Sequence, residues 1–317
     1  MRALWLEDGE LTFRDDVPPP EAAEGEALVR VLAAGVCGTD LGLVAGLYPF
    51  TGILGHEFVG RVEAGPEEWM GARVVGEINL ACGQCQECRR GGRKHCLRRT
   101  ALGIRGRPGA FADYLTLPVA NLHAVPPSIP NEAAALVEPL AAALEVVDEI
   151  GLERHHRVLV VGAGRLGQLV ARVLARLCDT VDVVVRHPNK RERLPPGTVR
   201  ALAPEAVPPG AYDVAVECTG DPAGLEVGLA ALRARGTLVL KSTYRGRAPL
   251  DAGRVVVDEI RLVGSRCGPF PRALAWLASG EVEVASLIDA RYPLERGLEA
   301  FEHSRRPGTL KVLLETT

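Results

Sequence analysis

The chain has 317 residues, 37 of them basic and 40 acidic, for a net charge of −3. Its 47% hydrophobic and 24% charged residues exclude wholesale disorder, and the slight acidity excludes broad electrostatic capture of nucleic acid. No apolar run approaches the roughly 18 residues that cross a bilayer, and the opening Met1-Arg2-Ala3-Leu4-Trp5-Leu6-Glu7 meets charge too soon for a secretory signal. A cytoplasmic protein of two domains is expected.

Up to about residue 130 the chain predicts short strands at Ala27–Val36, Glu57–Val62, Arg73–Ile78 and Phe111–Leu117, with no long helix between them. Punctuated by glycine and proline, they predict a small β-barrel or sandwich. Asn131–Ile150 is alanine-rich and helical in period, interrupted by Pro139. From Arg157 onward, apolar strands (Val158–Val161, Val181–Val185, Asp213–Val216, Thr237–Leu240) alternate with helical stretches, the pattern of a doubly wound parallel sheet. After about Ala285 a tail adds a helix, Leu294–His303, and a strand, Leu310–Leu314.

The first of those parallel strands runs into Gly162-Ala163-Gly164-Arg165-Leu166-Gly167, a G-x-G-x-x-G turn opening a helix that is predicted to reach Cys178. Gly162 permits the tight turn, Gly164 lets backbone amides approach a pyrophosphate, and Gly167 lets helix pack on strand. Arg165 and Leu166 open the helix within the same loop. This strand–turn–helix context predicts a nucleotide cofactor. NAD-binding domains usually place an acid at the end of the next strand, roughly 20 residues on, to hold the ribose 2′-hydroxyl. Here Arg186 and His187 stand there, followed by Lys190, Arg191 and Arg193, while Asp179 and Asp182 come too early. A 2′-phosphate would meet cations, so NADP(H) is expected, with NAD(H) the alternative if Arg186 only stacks on adenine. Cys218 and Thr219 (in Glu217–Gly220), Ser242 (in Lys241–Thr243) and the segment Gly264–Gly268 also follow strands and are expected near the cofactor.

Cys82, Cys85, Cys88 and Cys96 form C-x2-C-x2-C-x7-C. Four thiolates on one loop close a tetrahedron around a structural zinc. An iron–sulfur cluster is the rival, but its fourth cysteine usually follows three residues and precedes proline; here it follows seven and precedes Leu97. Arg89, Arg90, Arg93, Lys94, Arg98 and Arg99 make this loop basic, and without interleaved aromatics it reads as a solvated surface. Three other segments offer thiolate, imidazole and carboxylate: Cys37-Gly38-Thr39-Asp40, His56-Glu57 and Glu138-Pro139. Such a mixed set suits a zinc that keeps a position for substrate. Pro139 is expected at the first position of a helix, presenting Glu138 at its N-terminal end.

Taken in order, these motifs resemble the zinc-containing medium-chain dehydrogenase/reductase superfamily, in its threonine, polyol and glucose dehydrogenase-like branch, across essentially the whole chain. The resemblance implies an α/β fold: a GroES-like β-rich catalytic domain over 1–138, completed by 285–317, and a Rossmann doubly wound parallel-sheet domain over 139–284. It implies two zinc ions per chain, a structural one and a catalytic one held by Cys37, His56, and Glu57 or Glu138. Thr39 would relay the substrate proton, and Tyr48, Pro49, Phe50 and Ile78 fall where relatives often line the substrate pocket. The implied partners are a small alcohol, polyol, aldehyde or ketone and further copies of the chain as a dimer or tetramer, with no nucleic acid and no membrane. One departure stands out: many relatives carry a histidine five residues after the ligand cysteine, and here that residue is Gly42. Two other readings stay open. One is a zinc-free quinone reductase, which would lack the Cys37, His56 and Glu57 set; the other is a non-catalytic NADP(H)-binding or RNA-binding protein on the same fold.

Overall fold

The computed structural model describes residues 1–244 and 246–316. The chain divides into two compact units: one comprises Met1–Glu138, Ala273–Ser279 and the chain from Ile288 onward, the other Pro139–Arg272 and Gly280–Leu287.

The first unit is built around strand Glu26–Gly35. Its Ala27, Val29, Val31 and Ala33 are buried, alternating with half-exposed Leu28, Arg30 and Leu32, as a strand with one face on a core requires. Along one edge it pairs antiparallel with Glu57–Ala64. Along the other, Tyr114–Pro118 covers its first half and the late strand Lys311–Glu315 its second. Lys311–Glu315 in turn lies parallel to Ile288–Pro293, so the end of the chain completes the central sheet. Two small three-stranded sheets flank it.

A helix over Gly38–Val44 was not apparent in the sequence. Two glycines in seven residues give it poor intrinsic propensity, and its N-terminal end is secured by side chains instead: Cys37 N donates to Asp40 Oδ2 at 2.8 Å, and Thr39 N donates to Cys37 Sγ at 3.5 Å. The expected helix after residue 130 is two helices, Asn131–Ala134 and Val137–Ile150. Pro139 therefore occupies the third position of its helix, not the first. The correction has a simple cause: the first-turn amides of a helix have no partner inside it, so proline is tolerated there, and a continuous helix would have required a Pro139 amide to bond Ala135.

The second unit is a six-stranded parallel sheet with the order Val199–Leu202, Thr180–Val184, Arg157–Val161, Tyr212–Glu217, Leu232–Leu240, Arg261–Gly264. In chain order within the unit that is 3-2-1-4-5-6, which reverses between Arg157–Val161 and Tyr212–Glu217. Ligands of such sheets bind beyond the carboxyl ends of the strands at this reversal. Leu159, Val161, Ala215, Leu225, Leu229 and Leu238 form one apolar cluster beneath it. Among the described residues, no helix is long and apolar enough to cross a membrane.

Asp182, in the strand Thr180–Val184, is wholly buried. Arg200 donates to both its oxygens at 2.8 Å, and Tyr212 OH donates to Oδ2 at 2.6 Å. Burial is the largest of the effects that push the Tyr212 phenol upward, reinforced by that carboxylate. Asp182→Ala is expected to lower stability by about 2–3 kcal/mol, since it strands a buried hydroxyl and removes charged hydrogen bonds; urea unfolding of the variant beside the parent measures the loss.

Candidate functional site

The register of the central ladder sets Gly35 opposite Glu57. Cys37 follows the first strand by two residues and His56 precedes the second, so the ladder delivers thiol, imidazole and carboxylate to one place. Donor atoms of Cys37, His56 and Glu57 all lie within 4.8 Å of one another. Two glycines are needed for this. Gly55 takes φ +97°, which side chains rarely adopt, and at Gly35 a Cβ would collide with the Glu57 carboxylate. Glu138 is half-buried at the start of its helix and is not part of that cluster.

Two buried carboxylates, those of Asp40 and Glu57, stand around a buried ring. His56 Nδ1 lies 3.3 Å from Oδ1 of the fully buried Asp40, yet neither atom completes an aligned hydrogen bond. Burial opposes charge on His56, but Asp40 and Cys37 outweigh it and hold the imidazole pKa well above its ordinary value. Glu57 Oε2 is met by the buried ammonium of Lys311, which also reaches Val36 O at 3.4 Å. A dication fits such a set: thiolate and imidazole are zinc donors, and a carboxylate behind the imidazole fixes its orientation.

The four-cysteine loop fits a closed zinc site on distances. Zn–S bonds near 2.3 Å place tetrahedral sulfurs about 3.8 Å apart. Here Cys85 Sγ lies 3.5 Å from Cys88 Sγ and 3.8 Å from Cys96 Sγ, and all four sulfurs lie within 4.8 Å. No disulfide joins any of the eight cysteines. The backbone amide of Gln84, with that of Cys85 and the Cys96 and Arg98 side chains, draws the Cys82 thiol down to about 6, whereas desolvation and the neighbouring thiols push Cys88 up to about 11.

In the second unit Gly162 has φ +102°, and a Cβ there would lie 2.6 Å from Thr219 Cγ2. A Cβ on Gly167 would strike the Gly162 carbonyl, while one on Gly164 would meet nothing within 4 Å. Backbone is thus bare and accessible at Gly164, the N-cap of helix Arg165–Leu177, whose first amides have no partner within the helix. Arg165 and Leu166 form its half-buried first turn. Arg186 and His187 are exposed beyond strand Thr180–Val184, with Lys190 half-buried, and Arg186 Nη1 is 3.6 Å from Asp221 Oδ2. Asp182 is spent on Arg200 and Tyr212. Cys218 and Thr219 pack directly against the glycine turn, and Ser242 lies beside Gly220.

Two residues that matter here carried no assigned role in the sequence: Asp40 and Lys311. A lone lysine within the apolar run Leu310–Leu314 was the available sign of Lys311.

The alcohol dehydrogenase GroES-like domain family matches residues 23–127. Among curated proteins, the L-threonine 3-dehydrogenase of Streptomyces avermitilis is 30% identical over 100% of both chains. The erythritol/L-threitol dehydrogenase of Mycolicibacterium smegmatis is 30% identical over 90% of each. Among solved structures, a protein from Sinorhizobium meliloti 1021 described as a zinc-binding dehydrogenase bound to NADP superposes with TM-score 0.91 at 29% identity, covering 99% of this chain and 98% of that one. An alcohol dehydrogenase from Thermus sp. ATN1 gives TM-score 0.90 at 28% identity over 100% of both.

Lys311→Met removes the ammonium that meets the buried Glu57 carboxylate. In the presence of a chelator, the variant is expected to lose about 3 kcal/mol of unfolding free energy, the lower end for an uncompensated buried charge; denaturant titration checks it.

Proposed function

The chain belongs to the zinc-containing medium-chain dehydrogenase/reductase superfamily, and from that premise we propose a zinc-dependent oxidoreductase that transfers a hydride between NADP(H) and an alcohol or polyol. The observation that carries the reading is the gathering of Cys37, His56 and Glu57 donors within 4.8 Å in the first unit, in a chain whose second unit has a bare glycine turn at the sheet reversal. Cys37 and His56 would hold the catalytic zinc with Glu57 or Glu138 as the carboxylate, and Cys82, Cys85, Cys88 and Cys96 a structural one. When bound, zinc supplies Lewis acidity toward an alcohol oxygen, and nicotinamide supplies the hydride acceptor.

The protein's own part is positioning and proton handling. Thr39 sits half-buried on the first turn of Gly38–Val44, a turn capped by Cys37 itself, so its hydroxyl is held on the same rigid element as the thiolate. It takes the substrate proton in oxidation and returns it in reduction. The next carrier is not a side chain at position 42. Gly42 stands there, and a Cβ on it would lie 3.0 Å from Leu47 Cδ2, a tight contact that Leu47 would have to relieve. With a cofactor bound, its ribose and solvent would offer that exit. Asp40 orients His56, and Lys311 restrains Glu57.

NADP(H) preference is supported by Arg186, exposed at the end of the second parallel strand, and by the burial of Asp182, the one acid within that strand. The NADP bound by the Sinorhizobium protein is consistent with it.

Thr39→Val is expected to lower kcat by roughly 10²–10⁴-fold, the range for a positioned acid–base group, with cofactor affinity nearly unchanged; steady-state kinetics on the best alcohol or polyol substrate reads both. Arg186→Asp should reverse the cofactor preference, because it repels a 2′-phosphate and offers the ribose an acceptor. Comparing kcat/KM for NAD⁺ and NADP⁺ decides it, and a parent enzyme preferring NAD⁺ would sink the NADP(H) reading.

A further inference from the structure

We infer that Glu217 is a positioning residue for the nucleotide, a buried carboxylate that locks one cofactor-facing loop against the glycine turn. The inference rests on the nucleotide reading above. Glu217 is wholly buried at the last position of its strand, in direct register with Val161, the residue before Gly162. It therefore stands at the reversal of strand order, where the ligands of such sheets bind.

Its two oxygens are used on two different loops. Oε1 accepts from Thr219 N and Thr219 Oγ1, and from Gly220 N at 3.1 Å. Oε2 accepts from Tyr244 OH at 2.5 Å. Tyr244 belongs to the loop after the next strand, so one carboxylate ties together the ends of neighbouring strands. Burial chiefly, and then this carboxylate, pushes the Tyr244 phenol upward and keeps it a donor.

The consequence is steric as much as electrostatic. Pinned by Glu217, Thr219 lays its methyl on Gly162 and its hydroxyl on Gly224, leaving no room for a Cβ at either glycine. Asp221 N donates to the same Thr219 hydroxyl at 3.0 Å, and Asp221 Oδ2 lies 3.6 Å from Arg186. The loop set by Glu217 thus borders both the pyrophosphate turn and the proposed 2′-phosphate reader. With its amides turned inward to the carboxylate, the loop cannot drift without exposing a buried charge, which makes its geometry preorganised for the cofactor.

The test is NADPH binding, followed by its fluorescence, to wild type, Glu217→Gln and Tyr244→Phe, with cofactor KM, kcat and the melting temperature of the cofactor-free proteins. Glutamine keeps one oxygen for Thr219 and Gly220, and the tyrosine hydroxyl can turn to accept from its amide, so the variant should fold. Glu217→Gln is expected to raise Kd and cofactor KM about tenfold, the worth of one charged hydrogen bond, with kcat at saturating cofactor held within about twofold. Tyr244→Phe, which spares the Thr219 and Gly220 contacts, should raise them by about threefold. A lowered melting temperature with unchanged NADPH affinity would assign Glu217 to stability alone and overturn the inference. Wild type that binds neither NADPH nor NADH would instead overturn the nucleotide reading beneath it.

Discussion

The pairing of Gly35 with Glu57 across the central antiparallel ladder is the contact on which the first unit's chemistry depends. A one-residue slip would turn every side chain of a strand to its other face. It would carry Glu57 away from Lys311 and separate the His56 ring from Cys37. The register is secured by the buried face of the strand and by the return of the C-terminal strand, which brings the Lys311 ammonium to the Glu57 carboxylate. Chain ends far apart in sequence are thereby made parts of one centre.

Both units handle buried charge in the same manner. Glu57 is met by Lys311, Asp182 by Arg200 and Tyr212, and Glu217 by backbone and hydroxyl donors. A buried carboxylate without such partners would take up a proton or loosen the fold. Asp40 and His56 are the exception, a buried pair whose facing atoms remain poorly bonded. That unsatisfied polarity lies beside the gathered donors of Cys37, His56 and Glu57.

Much of this could be read from residues alone, because the relevant signals are local. Gly162, Gly164 and Gly167 between an apolar strand and a helix, and four closely spaced cysteines, carry their meaning in spacing. Strand positions also followed from period, within a few residues. What escaped was non-local or propensity-defying. The helix Gly38–Val44 forms despite its glycines because Cys37 and Asp40 cap it. Lys311 acquires a role only through pairing with a strand some 250 residues earlier. Glu217 was expected near the cofactor as part of Glu217–Gly220, but its partners on Tyr244 and Thr219 depend on sheet order and could not be read. Pro139 was misplaced by two positions because the break in the helix precedes it.

Metal analysis of the purified protein, before and after mild chelation, tests the central claim most directly. Two zinc ions per chain are expected. Chelation should remove one together with alcohol oxidation, because an open site exchanges, and leave the other within its closed sphere of four thiolates. A single zinc with full activity, or iron and sulfide in the four-cysteine loop, would contradict the account.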